Sequence, residues 1–535
     1  MTSILNPDSE SDAGRGVPFQ GEPHSAYAGR ESLQMVNGSA APLDTVPLFS
    51  YSYFSHWLSG MVRQGGRVIS FFALPAPVLQ DSQEDGESPH RLFAVVASDD
   101  SGKFHIVSTT IAGSFPSLTP QIPQLHLFER EIYEKHGLVP QGHPWLKPVR
   151  FEKVNGPEIG SMDFFRVAGD EVHEVSVGPI HAGIIECGHF RFQCLGEVVM
   201  HLEISLGYHH RGVESLLRDG PHPRTLALME TIAGDSTIAH SWAYCAAVEA
   251  LANMRPSPRG LLVRALALEL ERLANHTGDM GALAGDIGFL STLSYCGRLR
   301  GDWLNMSAMI CGSRFGRGLL APGGVLHDLD HALVLALKER LTRTARDVQG
   351  ALMLMWNSPS VMARLATIGT VPTETALALG MVGPAVRASN IARDSRHSHP
   401  LPNLPQPPDL CTSLRGDVHA RARVRHVEIT ASVAFCQRLL LNFLDVDADD
   451  EHCICDTVIP ALMPEHIAIS LVEGWRGEVC HTALTDSRGR LASYNVIDPS
   501  FHNWMGLAVT LRGQQISDFP LYNKSFNLSY CGHDL

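Results

Sequence analysis

Two stretches, 226–254 and 259–276, carry apolar side chains at helical spacing with few breakers. Helices so long and so apolar are stable in water only when their stripes are buried against one another, so this part of the chain reads as the core of a helical bundle. Residues 333–354 supply a third such helix, and 415–446 are helical again. A different periodicity precedes them. RVISFFALPA, HRLFAVVASD and FHIVSTTIA, between residues 67 and 112, are β-rich runs, the first two separated by an acidic loop at 81–88. They close on 127–137, where Phe128, Ile132 and Tyr133 share one helical face and Gly137 stops the helix.

The pattern predicts an α+β protein in three parts. Residues 1–45, rich in Gly, Ser, Pro and Asp, read as a disordered or draped tail. Residues 46–154 read as a small α+β domain, and a short linker leads to a helix-bundle-rich domain with peripheral β-strands over 162–535. Within it, 397–412 carries five prolines and cannot be regular structure. Residues 460–520 return to a strand–turn pattern, with a hairpin about 486–489.

Composition narrows the function classes. A formal charge of −14 argues against nucleic acid, which wants a basic face. No uninterrupted apolar run reaches the roughly 18–20 residues that span a bilayer, and the N-terminus lacks a signal pattern, so a cytoplasmic protein is expected. The eleven cysteines form no C-x-x-C; Cys453 and Cys455, after His452, are the one close pair and a weak metal signal beside ordinary buried thiols. There is no G-x-G-x-x-G after a strand and no Walker loop, so any NADH would bind another subunit.

Four blocks carry a resemblance: GPIHAGIIECGHFRF (178–192), GYHHRGVE (207–214), ELERLANH (269–276) and DPSFHNW (498–504). With FEREIYEKHG and GHP at 128–144 they resemble a fusion of the small and large peripheral-arm subunits of the respiratory complex I and membrane-bound [NiFe] hydrogenase family, the hydrogenase-4 and formate hydrogenlyase large subunits among them. In those hydrogenases two motifs, E-R-x-C-G-x-C-x-x-x-H and a C-terminal D-P-C-x-x-C, supply four thiolates. Here Glu230, Gly234 and His240 match the first motif. Ala233 and Ser236 stand in its cysteine positions, and Ser529 and Gly532 in those of the second. A nickel–iron centre needs soft sulfur ligands that a methyl or hydroxyl group cannot replace. No metal ligand is therefore assigned.

The resemblance implies a subunit of a membrane-associated oxidoreductase, peripheral on the cytoplasmic face of the inner membrane. It implies a small [4Fe–4S] partner subunit, membrane-embedded antiporter-like partners, coupling to proton or ion translocation, and quinone as the acceptor, with no cofactor of the chain's own. A non-redox coupling or assembly subunit with a decayed site is the alternative, and a hydrogenase with unusual ligands a further one. Glu186, His189 and Asp235 are the catalytic candidates; His181, Arg211 and His240 are the cofactor-binding ones. Glu186 matches a proton-passing glutamate of the hydrogenases, against the reading of a hydrogen-bonded loop carboxylate. His181 and His189 flank the loop that in complex I offers a histidine to quinone, against a structural role. Asp235 could bond a ligand or conduct protons. His240 either serves the site or packs its helix. Arg211 matches an arginine near a partner's cluster, with a Glu214 ion pair as the rival. Glu271, Arg272 and His276, on one helix, mark either a proton or ion path or a satisfied polar network.

Overall fold

The computed structural model describes residues 32–75, 88–152, 157–182, 185–445, 454–455 and 458–535. The first module is a sheet with Lys103–Ile111 at its centre. His90–Ser98 and then Arg67–Pro75 lie antiparallel on one side; Leu33–Met35 and the short parallel Leu48–Phe49 lie on the other. Strands Arg67–Pro75 and His90–Ser98 are buried almost end to end, as continuous apolar runs covered on both faces must be. Helix Tyr51–Arg63 starts where the Ser50 hydroxyl accepts from the Tyr53 N–H. Helix His126–His136 stops at Gly137, whose φ of 70° is the left-handed cap that glycine accepts without strain.

A second sheet runs Leu491–Ile497, Gly477–Thr485, His466–Gly474 and, at its edge, Ser39–Pro42. The expected hairpin about 486–489 joins its first two strands. Ile467, Ile469, Leu471 and Phe501 pack into the same apolar core as Phe71 and Phe128, so the two modules read from the sequence share one interior. The expected tail is corrected over its last part. Residues 32–45 carry two strands, because each pairs with the open edge of a sheet built from distant chain; residues 1–31 lie outside the described part.

The bundle contains Thr237–Leu251, Pro258–Asp286, Leu290–Cys311, His331–Trp356 and Val418–Asp445. Pro258–Asp286 begins with proline in its first turn and the Ser257 hydroxyl accepting from Gly260 N–H at 3.0 Å. Val418–Leu444 is the one helix among the described residues long and apolar enough to suit a bilayer. It packs against Pro258–Asp286 and His331–Trp356 and buries Arg421, Arg425 and Glu428.

Two sequence expectations change. The stretch 226–254 is two helices, Thr225–Met229 and Thr237–Leu251, broken over 230–236. The break persists because its polar groups are taken from outside. Trp475 Nε1 and Asn275 Nδ2 donate to the Asp235 carbonyl at 2.8 and 2.7 Å, and the Glu271 carboxylate accepts from the first turn of the next helix at Ile238 N, 2.7 Å. Residues 499–510, expected in the strand–turn region, form the helix Pro499–Thr510, capped by Asp498. Cys455 Sγ lies 3.6 Å from the Val325 carbonyl, and Cys453 lies outside the described residues.

Candidate functional site

The broken-helix loop at 230–236 and the C-terminal turn at 527–532 meet across one residue, Arg476. It sits with Trp475 in the two-residue turn between Gly474 and Gly477, at the end of the sheet. Its guanidinium holds Asp235 with two bonds of 2.6 and 2.7 Å, and Nε donates to the Asn527 carbonyl at 2.6 Å. Burial works against this charge, but Asp235, with Asp498 and Asp279 behind it, outweighs burial and raises the arginine pKa. One cation thus ties together the two segments that the resemblance assigns to metal ligation.

The four thiolate positions do other work. Ala233 is a fully buried methyl. Ser236 Oγ lies 3.4 Å from Arg476 Nη1. The Ser529 hydroxyl caps the last helix, Tyr530–Asp534, by accepting from Gly532 N at 2.9 Å. A Cβ on Gly532 would lie 2.7 Å from the Asp498 carboxylate, closer than real contacts allow. The donor set is hydroxyl, methyl and hydrogen, with a carboxylate already in the space a fourth side chain would need. A four-thiolate nickel–iron centre does not fit these residues.

Glu186 and Asp235 do come together. The Glu186 carboxylate accepts from the backbone N–H groups of Tyr530 and Cys531 at 3.1 and 3.2 Å. Burial, reinforced by Glu186 and then Asp235, pushes the Cys531 thiol up to about 12, so it is a protonated, unreactive thiol at neutral pH. Behind Asp235, burial lifts the Glu271 carboxyl to about 8, helped by Asp235 and opposed by the N–H bond from Ile238.

Asp498 leads inward. It accepts from His240 Nε2 at 3.1 Å; His240 Nδ1 faces His481 Nε2 at 3.2 Å, and His481 Nδ1 faces the Tyr494 hydroxyl at 2.8 Å. With both imidazoles neutral and His240 giving its Nε2–H to Asp498, the row runs one way: Tyr494 donates to His481 and His481 to His240. All four groups are buried, and the row ends against Gly532.

The other sequence candidates lie apart from this cluster. His181 Nε2 bonds the Gly188 carbonyl at 2.8 Å and closes its own loop. His189 faces Phe164, 5.1 Å between ring centres, and its Nε2 finds no protein partner among the described residues; burial and Arg191 lower its pKa. Arg211 makes no ion pair with Glu214, which Lys135 takes instead. It braces the loop by donating to the Thr231 and Ile232 carbonyls at 2.8 and 3.1 Å. The sequence reading missed Arg476, Asp498, His481 and Tyr494. A two-residue turn bearing tryptophan and arginine between glycines was the one local signal for the first.

Residues 286–457 match the family model for the 49 Kd subunit of respiratory-chain NADH dehydrogenase, and residues 80–154 that for its 30 Kd subunit. The 30 Kd-type and 49 Kd-type matches thus lie fused, in that order, in one polypeptide. Formate hydrogenlyase subunit 5 of Escherichia coli is 29% identical over 449 residues, covering 78% of this chain and 76% of that protein. The membrane-bound hydrogenase subunit alpha of Pyrococcus furiosus is 27% identical over 361 residues, 64% of this chain and 83% of that one. A subunit of an NADH-quinone oxidoreductase from Herpetosiphon aurantiacus is 28% identical over 360 residues, 64% of this chain and 94% of that one. The chain is therefore similar to hydrogenase and quinone-reductase subunits alike.

Proposed function

We propose that the chain is a peripheral-arm subunit of a membrane-associated, complex I-related oxidoreductase. It lies at the cytoplasmic membrane face between a small [4Fe–4S] subunit and membrane-embedded ion-translocating subunits. Its role is to wall the place where electrons from the partner cluster reach an acceptor, quinone by family resemblance, and to couple that event to proton movement. The observation that carries this reading is how the interior is joined. An arginine–aspartate clamp links the loops at 230–236 and 527–532, and a row of hydrogen-bonded tyrosine, histidine and carboxylate groups runs up to them. Such a row passes a proton only if every member can give one and take one, which tyrosine, histidine and carboxylate all do.

The test is electron transfer to quinone analogues in the reconstituted complex, with nickel measured by X-ray fluorescence of the same sample. Quinone reduction that falls at least about ten-fold in a Glu186→Gln, His189→Ala, Asp235→Asn variant, with no nickel in this chain, is expected. One nickel per chain overturns the reading in favour of a hydrogenase. The tight Arg476–Asp235 closure favours a second reading, a non-redox coupling or assembly subunit. Activity unchanged in the triple variant supports that one.

A further inference from the structure

A cavity of about 320 Å³ lies beneath the proline-rich loop and shares no lining residue with the Arg476 clamp. That volume is within the range of roughly 300–1,000 Å³ typical of small-molecule sites. Its floor is Trp242, Leu268 and Phe435, from three helices of the bundle, and its roof is Leu404 with Pro405 and Pro407. The prolines carry no N–H, so the polar groups of the roof side are Gln406, between Pro405 and Pro407, and His397, whose Nε2 lies 2.9 Å from the Pro408 carbonyl. One end is different, because Arg396 and Glu269 line it.

Arg396 spends three of its five N–H donors there. Nε and Nη2 go to Asp394 and Nη1 to Glu269, at 3.0, 2.6 and 2.9 Å. Two of its donors are left without a protein partner among the described residues, on a side chain that lines the cavity. Glu269 is fully engaged by Arg272, Arg396 and Ser432. The connected buried cluster sets Arg272, Arg387 and Arg396 against Glu269, Asp394, Glu428 and Glu473: three guanidiniums against four carboxylates. An anion would meet a net negative surround, and a cation would find no carboxylate to spare. A neutral oxygen acceptor suits the two free donors, and an apolar body suits the rest.

We propose that this cavity binds a neutral, largely hydrophobic molecule carrying a carbonyl oxygen, the oxygen toward Arg396 and the apolar part between Phe435 and the proline roof. Trp242 lies six residues along its helix from Ser236, about 9 Å at 1.5 Å per residue, so the guest sits near the rebuilt loop. The assignment stands apart from the function proposed above, because binding is measured without electron transfer and can succeed where that reading fails.

The experiment titrates the full-length chain with decylubiquinone, methyl decanoate and sodium decanoate by calorimetry, with Trp242 fluorescence as a second signal. Saturable one-to-one binding of at least one neutral probe is expected, with decanoate weaker by about ten-fold or more. Decylubiquinone alone assigns a quinone-type guest, and the ester alone a lipid-type guest; either supports the site. Two cavity-filling changes, Ala265→Phe on the floor and Leu404→Trp on the roof, should each weaken binding by about ten-fold. The roof variant should keep the parent melting temperature. Absence of saturable binding, decanoate binding as tight as the ester, or affinity unchanged by the roof variant overturns the proposal.

Discussion

Arg476 does for two loops what a bound ion would do: it gives them one shared partner of opposite charge and donor character. Removing it strands the Asp235 carboxylate and the Asn527 carbonyl together. Loss of one partner from a buried pair costs about 3–5 kcal/mol, and Asp235, a third exposed, places this pair near the lower end. Arg476→Ala should therefore lower unfolding stability by about 3 kcal/mol in urea titration, and Arg476→Lys by about 1, since lysine keeps the charge but not the paired bonds. Glu271 offers a test by pH. Its folded pKa, raised to about 8, lies above that of the unfolded chain, so the folded state binds the extra proton. This group's contribution is fully present below the ordinary glutamate range near 4.5 and is lost as pH rises to about 8. Glu271→Gln should flatten that decline; equal slopes of stability against pH for variant and parent between about pH 5 and about pH 8.5 would remove the argument.

At the scale of elements, the clamp depends on where the Trp475–Arg476 turn is held. Gly383, at a φ of +70°, lets the start of helix Gly383–Arg387 run so close to that turn that an added Cβ would lie 2.0 Å from the Arg476 carbonyl. Gly383→Ala must push turn and helix apart and also strain its own backbone. A loss of about 3 kcal/mol or more is expected, with weakened Arg476–Asp235 contact visible as faster amide exchange in residues 230–238. The broken helix follows the same logic. Its second half starts without a side-chain cap of its own at Ser236, and the Glu271 carboxylate supplies one from the neighbouring helix. The stripe over 226–254 hid that break because the group that caps its second half lies on another helix, far along the chain.

Across the whole molecule, the two modules are one cooperative body. Phe128 of the first packs on Phe501 of the second at 4.9 Å, and Arg67 and Asp99 of the first reach Glu478 and Arg393 of the second. Calorimetry of the intact chain should give a single unfolding transition, and residues 46–154 expressed alone should not hold a native fold. Two separate transitions would show that the shared core contributes little. Beneath this seam, Arg387 on helix Gly383–Arg387 joins Glu428 in the bundle to Glu473 on the sheet strand His466–Gly474. Of the helix positions singled out in the sequence, Arg272 pairs with Glu269 and His276 Nε2 with Glu428, while Glu271 accepts from Ile238 N–H on the neighbouring helix.

Element type was legible in the sequence because periodicity is local: alternation over 67–111, helical stripes over 258–286 and 331–356, and a glycine stop at 137 each declare themselves within a dozen residues. The loop at 230–236 and the C-terminal turn were legible as the place of interest for the same reason, through residues read in short windows. The tertiary structure alone decided what fills them. Asp235 finds Arg476 across 241 positions and His240 finds Asp498 across 258. Polar pairing has no period in sequence; it is fixed only when folding removes water from both partners and leaves each the other as its solvent.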